Sequence, residues 1–311
     1  MSQFASVPRI RPVPRDHDLS DVPRRQALAL LVTLVFVVVE AVCGVWANSL
    51  ALLTDAAHNF TDVIALGLAW YALRLASRPA TSDKTYGYHR AGILIALLNA
   101  GGLIVVALAI FSEAFRRLSA PPAVQAGILT GVGAVALVVN VSTALLVRPG
   151  HRDDINLRIA FLHLVADALA ALGAILAGIG IALTGLRVLD PAASIVIGLL
   201  IIYNAWGIAR EAVDILLEST PTDIDVADMV RDLRSIPGVR GVHDLHVWSI
   251  SQTMRALSAH VLVDDISISQ GAAIQRQIND VLLHRYGIGH ATLQLECAGC
   301  EPDQLFCDLE S

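Results

Sequence analysis

Charge is scarce in this chain of 311 residues. Asp, Glu, Lys and Arg make up only 16% of it, whereas a soluble domain is usually about a quarter charged. Lysine is nearly missing: Lys84 stands beside 21 arginines, a bias that fits a GC-rich bacterial genome. No H-E-x-x-H occurs, which excludes the helix-borne zinc protease motif. No G-x-x-x-x-G-K-[ST] occurs either, which argues against ATP as an energy source. No apolar core precedes Gln26, so the polar, Arg- and Pro-rich start does not read as a signal peptide. It reads as a disordered arm, residues 1–24. There is no long internal repeat and no low-complexity tract.

What is abundant is apolar sequence, 55% of the chain, with a mean hydropathy of +0.62. A membrane-spanning helix needs about 20 mainly apolar residues, and six runs meet that length. They are Gln26–Ala47, Ser49–Ala76, Ala91–Phe115, Val124–Val147, Ile155–Leu183 and Pro191–Ala209. The alternatives are a split helix or a re-entrant segment. Lys and Arg favour cytoplasmic loops. With the N-terminus inside, the inner segments before the sixth span hold Arg9, Arg11, Arg15, Arg24, Arg25, Arg74, Arg78, Lys84, Arg90, Arg148, Arg152 and Arg158. The outer loops hold Arg116, Arg117 and Arg187. This asymmetry predicts a multi-pass protein of the cell (inner) membrane with both termini cytoplasmic. The lipid bilayer is then a partner, and nucleic acid is not.

After the membrane region, 25–210, the character changes. Residues 211–311 carry 16 Asp/Glu against 6 Lys/Arg, while residues 1–210 carry 12 against 16. An acidic cytosolic domain, 211–297, follows Thr220-Pro221-Thr222, and a tail with cysteines occupies 298–311. The domain reads as a helix over Val226–Ile236, strands over Val242–Ser251 and Ala256–Asp264, a helix over Ile268–Tyr286 and a strand over Ala291–Glu296. That αββαβ order predicts a small open-faced α/β sandwich.

The chemistry lies in the spans. His58 and Asp62 stand four apart in the second, and His163 and Asp167 four apart in the fifth. Spacing of four puts each pair on one helix face, about a turn apart. Two such faces meeting supply two imidazoles and two carboxylates, a tetrahedral N2O2 set that suits Zn²⁺. Imidazole also suits Cd²⁺ or Co²⁺, which stay open. The plainer reading is that these groups hydrogen-bond helices together. An ionisable side chain at the bilayer centre costs roughly 2.5–3.5 kcal/mol on insertion scales, so it is a functional site by default. Metal ligands must be deprotonated, so binding metal releases protons and protonation releases metal. The quartet can thus exchange metal for protons. Asp55 shares the helix face two turns before Asp62 and reads as a supporting residue or as lining an outer exit. Glu40, Asn99, Glu113 and Asn140 also lie in or near spans, where polar groups join helices.

In the acidic domain His243 and His246 lie on the first strand and His260 on the second. The offset of three between His243 and His246 sets them on opposite faces of a regular strand, so one of the two reads as packing. His290 opens a strand and reads as a hydrogen-bonding group. Cys297 and Cys300 form a C-x-x-C with Cys307 nearby, a common metal half-site. The alternative is a redox-exposed tail. A structural disulfide is not expected in the cytosol. Cys43 reads as a small core residue.

Over nearly its whole length, Arg24 to Glu296, the chain resembles the cation diffusion facilitators. The resemblance rests on the stretch Ser49–Asp62, on Tyr86-Gly87-Tyr88-His89-Arg90, and on Asn156-Leu157-Arg158 with Ala160-Phe161-Leu162-His163. It also rests on Val242-His243-Asp244-Leu245-His246-Val247-Trp248 and on the stretch Gly289–Glu296. It implies a homodimer that works by alternating access and metal/proton antiport, a transporter and not an enzyme. It implies that His58, Asp62, His163 and Asp167 bind the transported ion, and that a His–Asp/His–Asp set goes mostly with zinc. It further implies a ferredoxin-like, metallochaperone-like C-terminal domain that dimerises and binds regulatory metal. His243 and His260 match ligand positions of some relatives, and Glu296 matches a frequent acidic ligand, with the poorer donor Gln294 beside it. Two features depart from the family pattern. The loop before the fifth span holds one histidine, His151. Gly92 replaces the acidic residue that usually follows the Tyr-Gly-Tyr-His-Arg motif, so His89 reads as structural. Rival readings are a non-transporting membrane metal sensor, and a metal channel with flux but no proton coupling.

Overall fold

The computed structural model describes residues 22–147 and 155–297. The N-terminal arm, the loop with His151, and Cys300 and Cys307 lie outside the described residues. Six long helices come first: α1 (Val22–Ala47), α2 (Leu50–Ala76), α3 (Ala91–Ser119), α4 (Ala126–Val147), α5 (Ile155–Thr184) and α6 (Leu189–Leu216). Among the described residues, α3 to α6 each contain a stretch long and apolar enough to cross a membrane. Two helices fall short by that measure. In α1 the described side chains begin at Thr33, and Thr33–Ala47 is the part of the apolar run Gln26–Ala47 that they cover. The 27 residues of α2 are long enough, but they include Asp55, His58, Asn59, Asp62 and Arg74. Its polar groups turn inward, with Thr54, Asp55 and His58 buried, while Leu66, Trp70 and Leu73 lie exposed on the outside.

The bundle is apolar on its surface and small in its seams. Val35, Leu98, Leu183 and Tyr203 are all more than half exposed, as expected for side chains that face lipid. Between helices the core is alanine-rich, with Ala51, Ala100, Ala107, Ala174 and Ala205 almost wholly buried. Small residues let backbones approach where lipid removes the hydrophobic drive. On α5, a Cβ at Gly178 would lie 3.1 Å from the backbone nitrogen of Thr130 on α4, so that seam requires glycine.

The start of α2 is fixed by a distant carboxylate. Ser49 is the N-cap and accepts from the Leu52 amide at 3.3 Å. Asp190, in the first turn of α6, accepts from the Ser49 hydroxyl at 2.5 Å and from the Leu50 and Ala51 amides at 2.7 and 3.2 Å. Both residues are fully buried. A carboxylate at a helix N-terminus satisfies free amides and meets the positive end of the helix dipole. Asn48 turns the chain between α1 and α2 at φ 52°, a left-handed conformation that asparagine tolerates.

The sixth helix runs to Leu216, past the expected end at Ala209. Arg210, Glu211 and Asp214 lower its hydropathy without breaking it, since Pro221 is the first proline beyond. The chain leaves the helix through Glu218 at φ 59°, whose carboxylate meets Arg90 at 2.8 Å. That ion pair ties the loop before α3 to the start of the second unit.

The second unit has the expected order: α7 (Val226–Arg234), β1 (Val239–Ser249), β2 (Arg255–Val263), α8 (Ile268–Tyr286) and β3 (Ile288–Glu296). Capping explains the helix ends. Asp225 accepts from two amides of α7. Ser267 and Gln270 form a capping box on α8, and Gly287 closes α8 at φ 66°. The sheet order is β1-β2-β3, with β1/β2 antiparallel and β2/β3 parallel. Met229 and Leu233 of α7 and Ile274, Ile278 and Leu282 of α8 share a core with Val242, Leu257, Val261 and Ile288 of the sheet.

Tyr286 donates its hydroxyl to Asp232, which also pairs with Arg285. Partial burial, reinforced by Asp232, pushes the phenol up from 10 to about 12. The protonated hydroxyl is therefore favoured by folding. Its contribution is full below pH 10 and is lost as pH rises through about 12. Alkaline melts of the cytosolic unit, followed by Trp248 fluorescence, should show this loss in the native chain and not in Tyr286→Phe.

Candidate metal site in the helical bundle

Packing of α2 against α5 brings the two His–Asp pairs together. The four side chains alternate nitrogen and oxygen around a closed ring. His58 Nε2 lies 3.6 Å from Asp62 Oδ2 and 3.3 Å from Asp167 Oδ1. His163 Nε2 lies 3.3 Å from Asp62 Oδ2 and 3.5 Å from Asp167 Oδ2. The imidazoles meet edge to face, with ring centroids 5.7 Å apart. In a tetrahedron the donor–donor edge is about 1.63 times the bond, so Zn–N and Zn–O bonds of about 2.0–2.1 Å place donors about 3.3–3.4 Å apart. Two of the four contacts, at 3.3 Å, equal that edge, and the other two are slightly longer at 3.5 and 3.6 Å, with Asp167 offering a different oxygen to each histidine. His58, His163 and Asp167 offer ligand atoms that all lie within 4.8 Å of one another. Asp62 completes the ring from the α2 side.

Local structure sets these directions. The Thr61 hydroxyl donates to the His58 carbonyl at 2.7 Å, which holds that turn of α2. His58 Nδ1 is buried without a hydrogen-bond partner, so Nε2 is the ring atom turned to the quartet. Side-chain exposure is 7% for His58 and 8% for Asp167, but 31% for Asp62 and 42% for His163. The ring is therefore closed on one side and open at His163.

A second cluster occupies the outer face of the sheet. Along β1, three residue steps from His243 to His246 match two steps on β2, from His260 to Ser258. This bulge, with Asp244 at φ 47°, returns His246 to the face that carries His243. The expected split of the two histidines onto opposite faces thus does not occur. His243 Nε2 lies 3.3 Å from Glu296 Oε2, and His260 Nδ1 lies 3.0 Å from Glu296 Oε1. The imidazoles of His243 and His260 are 5.3 Å apart. Gln294 donates to Glu296 at 2.7 Å, so it orients a carboxylate. Asp244, missed in the sequence because nothing in it signals the bulge, lies 3.0 Å from His246 Nε2 and 3.5 Å from His260 Nε2. Both ring nitrogens of His243 are buried without hydrogen-bond geometry. Cys297 is exposed and free and does not join the trio. His290 meets the ring of Tyr86 edge to face.

The helices and the small sheet that carry these clusters correspond to two family models. One, described as the cation efflux transmembrane domain, matches residues 27–217. The other, described as the cation efflux protein cytoplasmic domain, matches residues 221–298. The chain therefore belongs to the cation diffusion facilitator family of membrane transporters, and is not an enzyme. Among its relatives is the cadmium, cobalt and zinc/H(+)-K(+) antiporter of Bacillus subtilis. The two are 40% identical over 84% of this chain and 85% of that one. The zinc transporter ZitB of Escherichia coli is 37% identical over 90% of each chain. The metal cation efflux system protein CzcD of Cupriavidus metallidurans is 34% identical over 89% of this chain and 88% of that one.

Proposed function

We propose that this chain exports a divalent cation, zinc foremost, from the cytosol in exchange for protons. His58, Asp62, His163 and Asp167 hold the ion. The observation that carries this reading is the alternation of imidazole nitrogens and carboxylate oxygens at 3.3–3.6 Å, close to the edge of a zinc tetrahedron. Two carboxylates neutralise a divalent charge in a setting where an unpaired ion is costly. Two of the three relatives named above carry zinc in their names, and one carries cadmium and cobalt too. Cadmium or cobalt is thus the alternative cargo.

All six helices cross the bilayer in this reading, with both termini cytoplasmic. Arg90, on an expected inner loop, pairs with Glu218 at the entry to the cytosolic unit, which places the two at the same end of the bundle. The cytosolic unit dimerises and binds regulatory metal at His243, His260 and Glu296. Replacing His260 by alanine should remove one tightly bound zinc per protomer in equilibrium dialysis of the full chain, while the bundle keeps its own. An unchanged metal count would refute the cytosolic site.

Metal uptake into proteoliposomes with an imposed pH gradient tests the main reading. Zinc should accumulate on the acidic side, and affinity should fall on acidification, because imidazoles must be neutral and carboxylates ionised to bind. Zinc binding without flux would favour a sensor. Flux blind to the gradient would favour a channel. Flux that followed a potassium gradient alone would replace the proton as counter-ion.

A further inference from the structure

The bulge in β1 moves a carboxylate as well as a histidine. Val242 and Leu245 both pack in the core of the cytosolic unit. They are three residues apart, where a regular strand would space core residues by two. In unbroken alternation Asp244 would share the side of Val242 and carry its carboxylate into the apolar core, which is costly. The register shift between His243 and His246, with Asp244 at φ 47°, turns it to the histidine face instead. A residue other than glycine persists in that conformation only where its surroundings hold it there, and such residues cluster at ligand sites. The two oxygens of Asp244 have different neighbours. Oδ1 lies 3.0 Å from His246 Nε2, and Oδ2 lies 3.5 Å from His260 Nε2. The other nitrogen of that ring, His260 Nδ1, lies 3.0 Å from Glu296 Oε1. The His260 imidazole thus stands between two carboxylates, one at each nitrogen.

The residues at the Glu296 end fit a divalent cation. His243, His260 and Glu296 each offer a ligand atom within 4.8 Å of the others, and His260 Nδ1 and both ring nitrogens of His243 are buried without hydrogen-bond geometry. An imidazole that ligates a metal through one nitrogen carries N–H on the other. In metal sites that N–H is commonly held by a carboxylate, which fixes the tautomer and the orientation of the ring. We infer that Asp244 is the positioning carboxylate of the cytosolic metal site, accepting from His260 Nε2 and so aiming His260 Nδ1 at the cation shared with His243 and Glu296. At 3.5 Å the contact is longer than a well-formed hydrogen bond, and it tightens as the ring takes up its cation. His246 meets the other oxygen of Asp244 and so anchors the carboxylate, while staying outside the trio of ligands. This role rests on the cytosolic site proposed above and is independent of the transport reading.

The test uses the full chain in lipid nanodiscs with nitrogen-15 histidine. After zinc is added, the ring signals of His260 should show metal on Nδ1 and hydrogen on Nε2. Metal on Nε2 overturns the inference, and this readout needs no variant of Asp244. Asp244→Gly removes the carboxylate and leaves a residue that adopts positive φ freely, so the bulge is kept. Equilibrium dialysis then follows the cytosolic zinc, identified as the ion lost in His260→Ala. Its affinity should fall by about 10–100-fold in Asp244→Gly, with the melting profile of the zinc-free chain unchanged. Asp244→Asn keeps an acceptor oxygen and should lose less. Native affinity in Asp244→Gly, or an equal loss in both variants, overturns the positioning role while the site itself stands. Two zinc ions in the cytosolic unit, one of them lost in His246→Ala, would make Asp244 a ligand and overturn it too. An unchanged zinc count in His260→Ala refutes the cytosolic site, and the role of Asp244 with it.

Discussion

Zinc flux should fall to the leak of protein-free vesicles when Asp167 is replaced by alanine, if the proposed quartet carries the ion. This carboxylate bridges the site, with Oδ1 at 3.3 Å from His58 and Oδ2 at 3.5 Å from His163. Its loss takes away one donor, half the negative charge and one of the two carboxylates that both imidazoles meet. Even groups that only support a metal ligand are worth 10–100-fold in affinity, so the expected loss of zinc binding is at least about 100-fold. Asp167→Asn keeps the volume and should fail nearly as badly, because an amide brings no charge to offset a divalent ion. Calorimetric titration with zinc checks binding, and gel filtration of the variant checks that the bundle is intact. Retained flux in a folded Asp167→Ala protein would move the transport site elsewhere.

The other large effect is structural. Asp190→Ala strips the Ser49 hydroxyl and the Leu50 and Ala51 amides of their acceptor, in a place with no water to replace it. Hydrogen bonds to a charged group contribute about 1.5–3 kcal/mol, and orphaned buried donors cost further. A loss of roughly 3–5 kcal/mol is expected on that basis. For a unit of this size each kcal/mol moves Tm by about 2–4 °C, so the midpoint in detergent should drop by on the order of 10 °C. Asp190→Asn keeps an acceptor oxygen and should fall between. A melting point unchanged in Asp190→Ala would mean that α2 is held by packing alone.

Much of this was legible because its signals are local. The helices follow from runs of apolar residues, and the quartet follows from two i, i+4 spacings that any α-helix turns into a shared face. The αββαβ order followed from short strands with turn residues between them. Longer-range features were not legible. Asp190 caps a helix 140 residues earlier in the chain, and no spacing rule connects them. The bulge at Asp244 depends on the pairing of β1 with β2, so a regular strand put His243 and His246 on opposite faces. The sixth helix continues past Ala209 to Leu216 because a helix leaving a membrane can carry charged residues on into water.

The uneven exposure of the quartet sets the order in which a cation sheds its water. His58 and Asp167 lie on the sheltered side, at 7% and 8% exposure, while Asp62 and His163 stand at the opening, at 31% and 42%. On the proposed reading, an ion would give up water to His58 and Asp167 first and to Asp62 and His163 last. Cations that part with water slowly and insist on six ligands, magnesium above all, stall at this step. On that reading, discrimination against magnesium would lie in dehydration at the open side of the site as much as in the affinity of the finished site.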